Sequence, residues 1–195
     1  MSFAFYSDAA LTAPVTGLIL QHKADGSLGP VKRQLWIGSP NAAVKLQAAS
    51  NPGVDPLTLS ITQLHPARAD SEVIVAGDRR RISPSNNTIF EANNSGTTAA
   101  APPSWNTTIG ATTVDGGVTW TAVAKEDTPD ELRLALTEGG LAGASPGAGL
   151  SLGATILGGV SNAVSWWVQQ TDPDATVQLT TQLAIDLVAA DVVPV

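Results

Sequence analysis

Apolar and polar residues alternate one by one along much of this chain, and Gly, Pro, Asn and Asp break the alternation at short intervals. Period two is the spacing of a strand with one buried and one solvated face. The clearest run is Leu57-Thr58-Leu59-Ser60-Ile61-Thr62, which sets Leu57, Leu59 and Ile61 against Thr58, Ser60 and Thr62. Residues 15–21, 33–37, 44–48, 131–136, 164–169 and 176–185 read the same way, with Leu132, Leu134 and Leu136 expected on one face. Asp25-Gly26, Gly38-Ser39-Pro40-Asn41 and Asn51-Pro52-Gly53 supply turns, because Gly accepts positive φ and Pro presets its own. No window holds a helical apolar stripe for three turns, and each helical Gly costs roughly 1 kcal/mol. Roughly seven to nine short strands joined by such turns predict an all-β sandwich or barrel.

The core of such a fold is thin here. Ala, Thr and Gly supply 67 of 195 residues, and aromatics only 5%. Small side chains remove little area each, at about 25 cal/mol per Å² of apolar burial. Trp36, Trp166 or Trp167, with Leu35, Leu59 and Leu134, are the candidates for its centre. Strand alternation lets only one of Trp166 and Trp167 face inward, so the other lies outside, open to a partner or an inserted segment.

Charge and chemistry narrow the function. The net charge is -7 and there is no Cys. Acidity without a basic stripe disfavours nucleic acid as a partner, since phosphate neutralisation needs clustered Lys and Arg. Without Cys there are no disulfides, thiolate zinc sites or thiol nucleophiles. Residues 139–164, the longest weakly polar stretch, are broken by Gly and Pro146, and no membrane span is expected. The N-terminal residues lack the basic head and apolar run of a secretory signal, so synthesis in a cytoplasm is expected.

Residues 82–124 differ from the rest. They carry two charges, Glu91 and Asp115, and are rich in Asn, Thr, Ala and Gly. Arg79-Arg80-Arg81 stands at their entry and Lys125-Glu126-Asp127 at their exit. The expected organisation is therefore a β-sandwich body of residues 1–81 and 125–195 with an inserted module, residues 82–124. Within the module, Asp115-Gly116-Gly117 reads as a turn before a strand at 118–123, with Trp105 and Trp120 covering each other.

The run Gly96-Thr97-Thr98, Pro103-Ser104-Trp105-Asn106, Thr107-Thr108-Ile109-Gly110 and Asp115-Gly116-Gly117-Val118-Thr119-Trp120 resembles a short module common in virion proteins of tailed bacteriophages. That module reads Gly-Thr, Pro-x-Trp-Pro, a Thr-rich stretch ending in Gly, then Asp-Gly-x-Val-x-Trp. The resemblance spans about 25 residues and departs at Asn106, where Pro is usual, which affects only a local bend. The rest of the chain is similar in texture to immunoglobulin-like domains of phage tails and capsids. The resemblance implies an immunoglobulin-like antiparallel β-sandwich with an inserted β-hairpin module. It implies a structural virion component made in the bacterial host cytoplasm, present in several copies at the tail tip or baseplate and in contact with other virion proteins. It implies no enzymatic activity and no cofactor.

Individual residues agree with an unreactive chain. His22 and His65 are the only histidines, and neither has a nucleophile elbow to serve. Asp172-Pro173-Asp174 offers two carboxylates where calcium needs about six to eight oxygens, and reads as a turn. Asp127, Asp130 and Glu131 read as a solvated acidic loop. The Gly-rich stretch 139–149 lacks the Lys-Ser/Thr ending of a phosphate loop and reads as a flexible connection. Alternation places Arg79 and Arg81 on one side, a fork for an acidic patch on a neighbouring subunit. Trp105 and Trp120, with Asn and Thr beside them, are either a platform for a host-surface glycan or the miniature core of the module. The apolar C-terminal residues 189–195 are expected to dock on a partner. Two alternatives to the tail assignment remain: a capsid decoration protein, and a carbohydrate-binding module.

Overall fold

The computed structural model describes residues 3–18, 30–82, 88–171 and 182–195. Its strands in chain order are β1 (Ala4–Tyr6), β2 (Val31–Gly38), β3 (Val44–Ala48), β4 (Thr58–Gln63), β5 (Val73–Ile74), β6 (Arg79–Arg81), β7 (Thr88–Ala92) and β8 (Gly96–Thr97). There follow β9 (Thr112–Asp115), β10 (Val118–Lys125), β11 (Leu132–Ala135), β12 (Leu150–Ser151), β13 (Thr155–Leu157), β14 (Val164–Gln170), β15 (Leu183–Leu187) and β16 (Ala190–Pro194). Between them lie three short 3₁₀ turns and, among the described residues, no α-helix. The protein is all-β, built from several small antiparallel sheets. Its strands are more numerous and shorter than the alternation predicts, because Gly, Pro and Asn cut the runs.

The chain divides into two compact units. The first comprises residues 1–62, 128–175 and 184–195. Its largest sheet has the order β1-β2-β14-β11, and two smaller sheets have the orders β12-β4-β15 and β13-β3-β16. In the large sheet Trp166 lies opposite Leu35 and Val168 opposite Leu134. All four are buried. Phe5 from β1 sets its ring edge-on to Trp166 at 5.7 Å. Trp167 and Trp36 fall on the other face, each half-buried. Trp166 is thus the inward member of the pair. The outer face is partly covered from within the chain: the 3₁₀ turn Gly139–Ala142 buries Leu141 and brings Gly140 over Ala135, the cross-strand neighbour of Trp167.

Several local expectations change. Leu136 lies beyond the end of β11 and is 47% exposed, so only Leu132 and Leu134 share the buried face. Residues 15–18 form no strand, and residues 19–29, with the Asp25-Gly26 turn and His22, lie outside the described set. So do residues 172–181, with the Asp172-Pro173-Asp174 turn and the first part of the 176–185 run. The C-terminal residues are not a free tail. β16 pairs along β3 from Ala190 opposite Ala48 to Pro194 opposite Val44, because an apolar strand satisfies its backbone best in a ladder. Glu131 is buried rather than solvated, since its carboxylate accepts the Thr128 amide at 2.8 Å in a capping box.

The second unit comprises residues 63–127 and 176–183. It contains the whole 82–124 segment together with residues 63–81, because β6 pairs with β7 and β5 with β8. Its main sheet has the order β6-β7-β10-β9, and β10 runs between β7 and β9 through a two-residue turn at Gly116-Gly117. Strict alternation along β10 buries Val118, Trp120, Ala122 and Ala124. With Ile74, Ile82, Phe90 and Ala92 the first three of these make a compact core, and Trp105 packs on it.

Trp166→Ala should destabilise the first unit by about 3–5 kcal/mol, the usual cost of emptying a buried aromatic site. Trp167→Ala, on the half-buried face, should cost less than half as much. Urea unfolding of both variants followed by circular dichroism checks the order.

Candidate functional site

Of the candidate contact residues, Trp105, Trp120, Arg79 and Arg81 lie in the second unit and Trp167 in the first. In the second unit the structure uses most of them to hold the module together.

Asp115 ends β9 at the hairpin turn and is fully buried. Its carboxylate is engaged on both oxygens. Arg68 Nε donates to Asp115 Oδ2 at 3.0 Å, and Arg68 Nη2 donates to Oδ1 at 3.0 Å. The Ala99 amide donates to the same Oδ1 at 2.9 Å. Arg68 also reaches the Ala99 carbonyl and Asp70, and its side chain is nearly buried. A planar guanidinium matches a carboxylate bidentately, and that geometry lets a buried charge pair stand. Sequence reasoning treats Asp115 as a turn residue and does not single out Arg68. Arg68 follows a Pro-containing loop and stands 47 positions from Asp115, so no local pattern announces the pair.

The glycines of the motif serve the same turn. Gly116 has φ +63, and a Cβ there would meet the Thr97 carbonyl oxygen at 2.5 Å and the Ala99 nitrogen at 2.7 Å. A Cβ on Gly96 would strike the carbonyl of Gly117, whose amide donates to the Thr97 carbonyl at 2.8 Å. The Gly-Thr pair therefore lies directly on the Asp-Gly turn. Thr98 continues the contact: its hydroxyl donates to the Ala69 carbonyl at 2.7 Å and accepts the Glu72 amide at 2.8 Å. The spacing of Gly96-Thr97-Thr98 and Asp115-Gly116 is thus the spacing of two chain segments that must touch backbone to backbone.

Trp120 is fully buried, and its ring lies 6.3 Å from that of Trp105 at 64°. Trp105 rests on Phe90 at 4.6 Å and is half-buried. The Trp120 indole is enclosed in the module's own core, and Trp105 packs one side of its ring against it. Asn106, which stands where the resembling module has Pro, donates its amide to the Thr113 hydroxyl at 3.0 Å, a bond Pro cannot make.

The three arginines of β6 alternate. Arg79 pairs with Glu91 across the sheet at 2.8 Å, both half-exposed. Arg80, which alternation sets apart from the Arg79–Arg81 fork, faces the other way and is mostly buried against Glu72 at 2.8 Å. The Arg80 hydrogen bonds hold the Glu72 carboxyl below its ordinary range, more strongly than burial raises it. Arg81 is half-buried, with its charge acting on Glu126. Of the expected Arg79–Arg81 fork, Arg79 is engaged within the chain by Glu91, and Arg81 Nε is buried without a hydrogen-bond partner. His65 is depressed, first by burial and then by the Arg79 charge.

What remains on the open face of this sheet is mostly threonine, with Val114 exposed among it. Thr121 lies between Glu91 and Thr112 on adjacent strands, with Arg79 beyond Glu91. The Thr121 hydroxyl donates to Asn93 at 2.9 Å. Asn94 bridges the hairpin, donating to the Gly117 carbonyl at 2.8 Å and accepting the Thr119 amide at 2.8 Å.

Asp115→Asn should cost about 3–5 kcal/mol, because it removes the buried counter-charge of Arg68 and leaves only the exposed Asp70 beside it. Glu91→Gln, which breaks the half-exposed Arg79 pair, should cost under about 1 kcal/mol. Thermal unfolding of the two variants side by side measures the contrast, and Gly116→Ala should fall with Asp115→Asn because it strains φ and collides with Thr97. No protein-family model, no curated protein and no solved structure matches this chain.

Proposed function

We propose that this protein is a structural component of a tailed-phage virion, placed at the tail tip or baseplate, and that it works through contacts between subunits rather than through catalysis. The observation that carries this reading is how the Gly96–Trp120 motif is used. The residues that most make the motif resemble the virion module have mechanical tasks here. Gly96 and Gly116 permit the backbone contact, Asp115 anchors the turn, and Trp105 and Trp120 fill the core. Such a motif secures a small rigid body and presents no reacting groups.

In this reading the first unit is an immunoglobulin-like sandwich made from its small antiparallel sheets. The large sheet supplies one layer around Trp166, and the β3 and β4 sheets supply the other. Multiple copies then meet through strand edges and the Thr-rich open face of the second unit. Edge pairing between chains supplies main-chain hydrogen bonds with little demand on side-chain chemistry. A specific contact of that kind buries on the order of 1,000 Å² or more. The carbohydrate-binding alternative loses its support at Trp120, which has no exposed face.

Gold-labelled antibody against this chain should decorate one end of the tail in electron micrographs of particles grown from a genome that encodes it. Label on the head moves the protein to the capsid-decoration reading. Purified particles that contain none of the chain by mass spectrometry overturn the virion assignment.

A further inference from the structure

Two flaps fold onto the outer face of the β1-β2-β14-β11 sheet, the face away from Trp166. One is the loop after β1, which sets Leu11 over Gly38: a Cβ on Gly38 would meet Leu11 Cδ1 at 2.8 Å. Leu11 is 5% exposed and holds φ +55. Asp8 braces the loop, its carboxylate accepting the Thr12 and Ala13 amides at 3.0 and 2.7 Å. The other flap is the Gly139–Ala142 turn, which brings Gly140 over Ala135.

The same face carries Trp36 and Trp167 between the two covered positions. Trp36 stands two residues before Gly38 on β2, and Trp167 lies opposite Ala135. Trp36 is opposite Ser165 and Trp167 opposite Gln34. The two tryptophans are therefore diagonal neighbours on adjacent strands, close enough to meet one ligand. They differ from the other three. The indole N–H groups of Trp105, Trp120 and Trp166 are buried, whereas those of Trp36 and Trp167 are not. Neither Trp36 nor Trp167 donates its indole N–H to another group of the described chain. Both side chains are half-buried, as are Gln34 and Ser165 beside them.

We propose that this strip, with Trp36 and Trp167 as its aromatic floor, is a binding site for a neutral oligosaccharide. Three observations select that chemistry. First, β2 and β14 are interior strands with a ladder on each side, so an extended peptide has no free edge to join here. Second, the two cations this face carries among the described residues are engaged. Lys32 pairs with Glu138 at 3.3 Å, and Arg133 Nη1 donates to the Ala142 carbonyl at 3.3 Å. An anionic ligand therefore finds no free counter-charge. Third, the remaining groups match a sugar ring, which has an apolar C–H face and a rim of hydroxyls that both donate and accept. An indole offers apolar surface with an N–H at its edge. The Gln34 amide and the Ser165 hydroxyl each donate and accept. The flaps bound the strip and are held by the chain itself, so little ordering is left for binding to cost.

This site lies in the first unit, apart from the Trp105–Trp120 contact. It stands without the virion reading, because binding is measured on the isolated chain and neither result bears on where that chain is assembled.

The test follows the indole N–H signals of the five tryptophans by nitrogen-15 magnetic resonance, assigned with Trp36→Phe and Trp167→Phe. Without ligand, the Trp36 and Trp167 signals should exchange with water faster than the other three. Maltohexaose, cellohexaose, laminarihexaose and chitohexaose are then added separately, with a heparin hexasaccharide as the anionic counterpart. At least one neutral sugar should shift the Trp36 and Trp167 signals together and leave those of Trp105, Trp120 and Trp166 in place. Trp36→Ala and Trp167→Ala should each weaken that binding about tenfold, the size of one lost stacking contact. No shift with any neutral sugar, or a shift with heparin alone, overturns the proposal. So does movement of the same two signals on dilution without sugar, which assigns the strip to a second copy of the chain. Should either alanine variant fail to fold, the signals of the unaltered chain decide between the same outcomes.

Discussion

A single buried carboxylate organises the second unit. Asp115 holds the hairpin turn to two chain segments far away in sequence, through Arg68 and through the Ala99 backbone. The turn, the Gly96–Thr98 segment and the loop around Arg68 therefore cannot move independently. The core beneath them is small, with two tryptophans and one phenylalanine amid Ile, Val and Ala. A core of that size supplies limited burial energy, and a fully engaged ion pair at its rim supplies specificity of register. Where Asp115 sits, the hairpin must turn, and the remaining ladder of β10 follows from that register.

The first unit solves a related problem with aromatic burial. Most of its small side chains contribute little area, so Trp166 and its neighbours Leu35, Leu134 and Val168 carry its large sheet. The other face of that sheet is not left to water alone, because the Gly139–Ala142 turn folds back and buries Leu141. The stretch that reads as a flexible Gly-rich link is in part a lid over a sheet. Glycine is what allows a turn to approach a strand as closely as Gly140 approaches Ala135.

Many polar side chains among the described residues of the second unit are engaged within the chain, and this shapes its character. Arg79, Arg80 and Arg68 each have an acidic partner. Threonine and asparagine side chains bond to neighbouring backbone and to one another rather than converging on a common point. Such a surface has the regular, low-charge texture of a strand face, suited to packing against another chain.

The sequence by itself determined the all-β class, the turn at Asp115-Gly116-Gly117 and the alternation along β10, and it left Trp105 and Trp120 between a mutual contact and an open platform. The first three are written in residues near one another, through the two-residue strand period and the backbone freedom of Gly. It could not determine which of Trp166 and Trp167 faces inward, since alternation is symmetric until a second sheet face is known. Nor could it announce Arg68, Glu72 or Gln182, whose partners are set by the fold rather than by any local pattern. It misplaced Leu136, Glu131 and the C-terminal strand because exposure and pairing depend on where neighbouring strands stop. Those facts were settled by the tertiary structure, in which long-range backbone pairing and buried charge fix what local propensity leaves open.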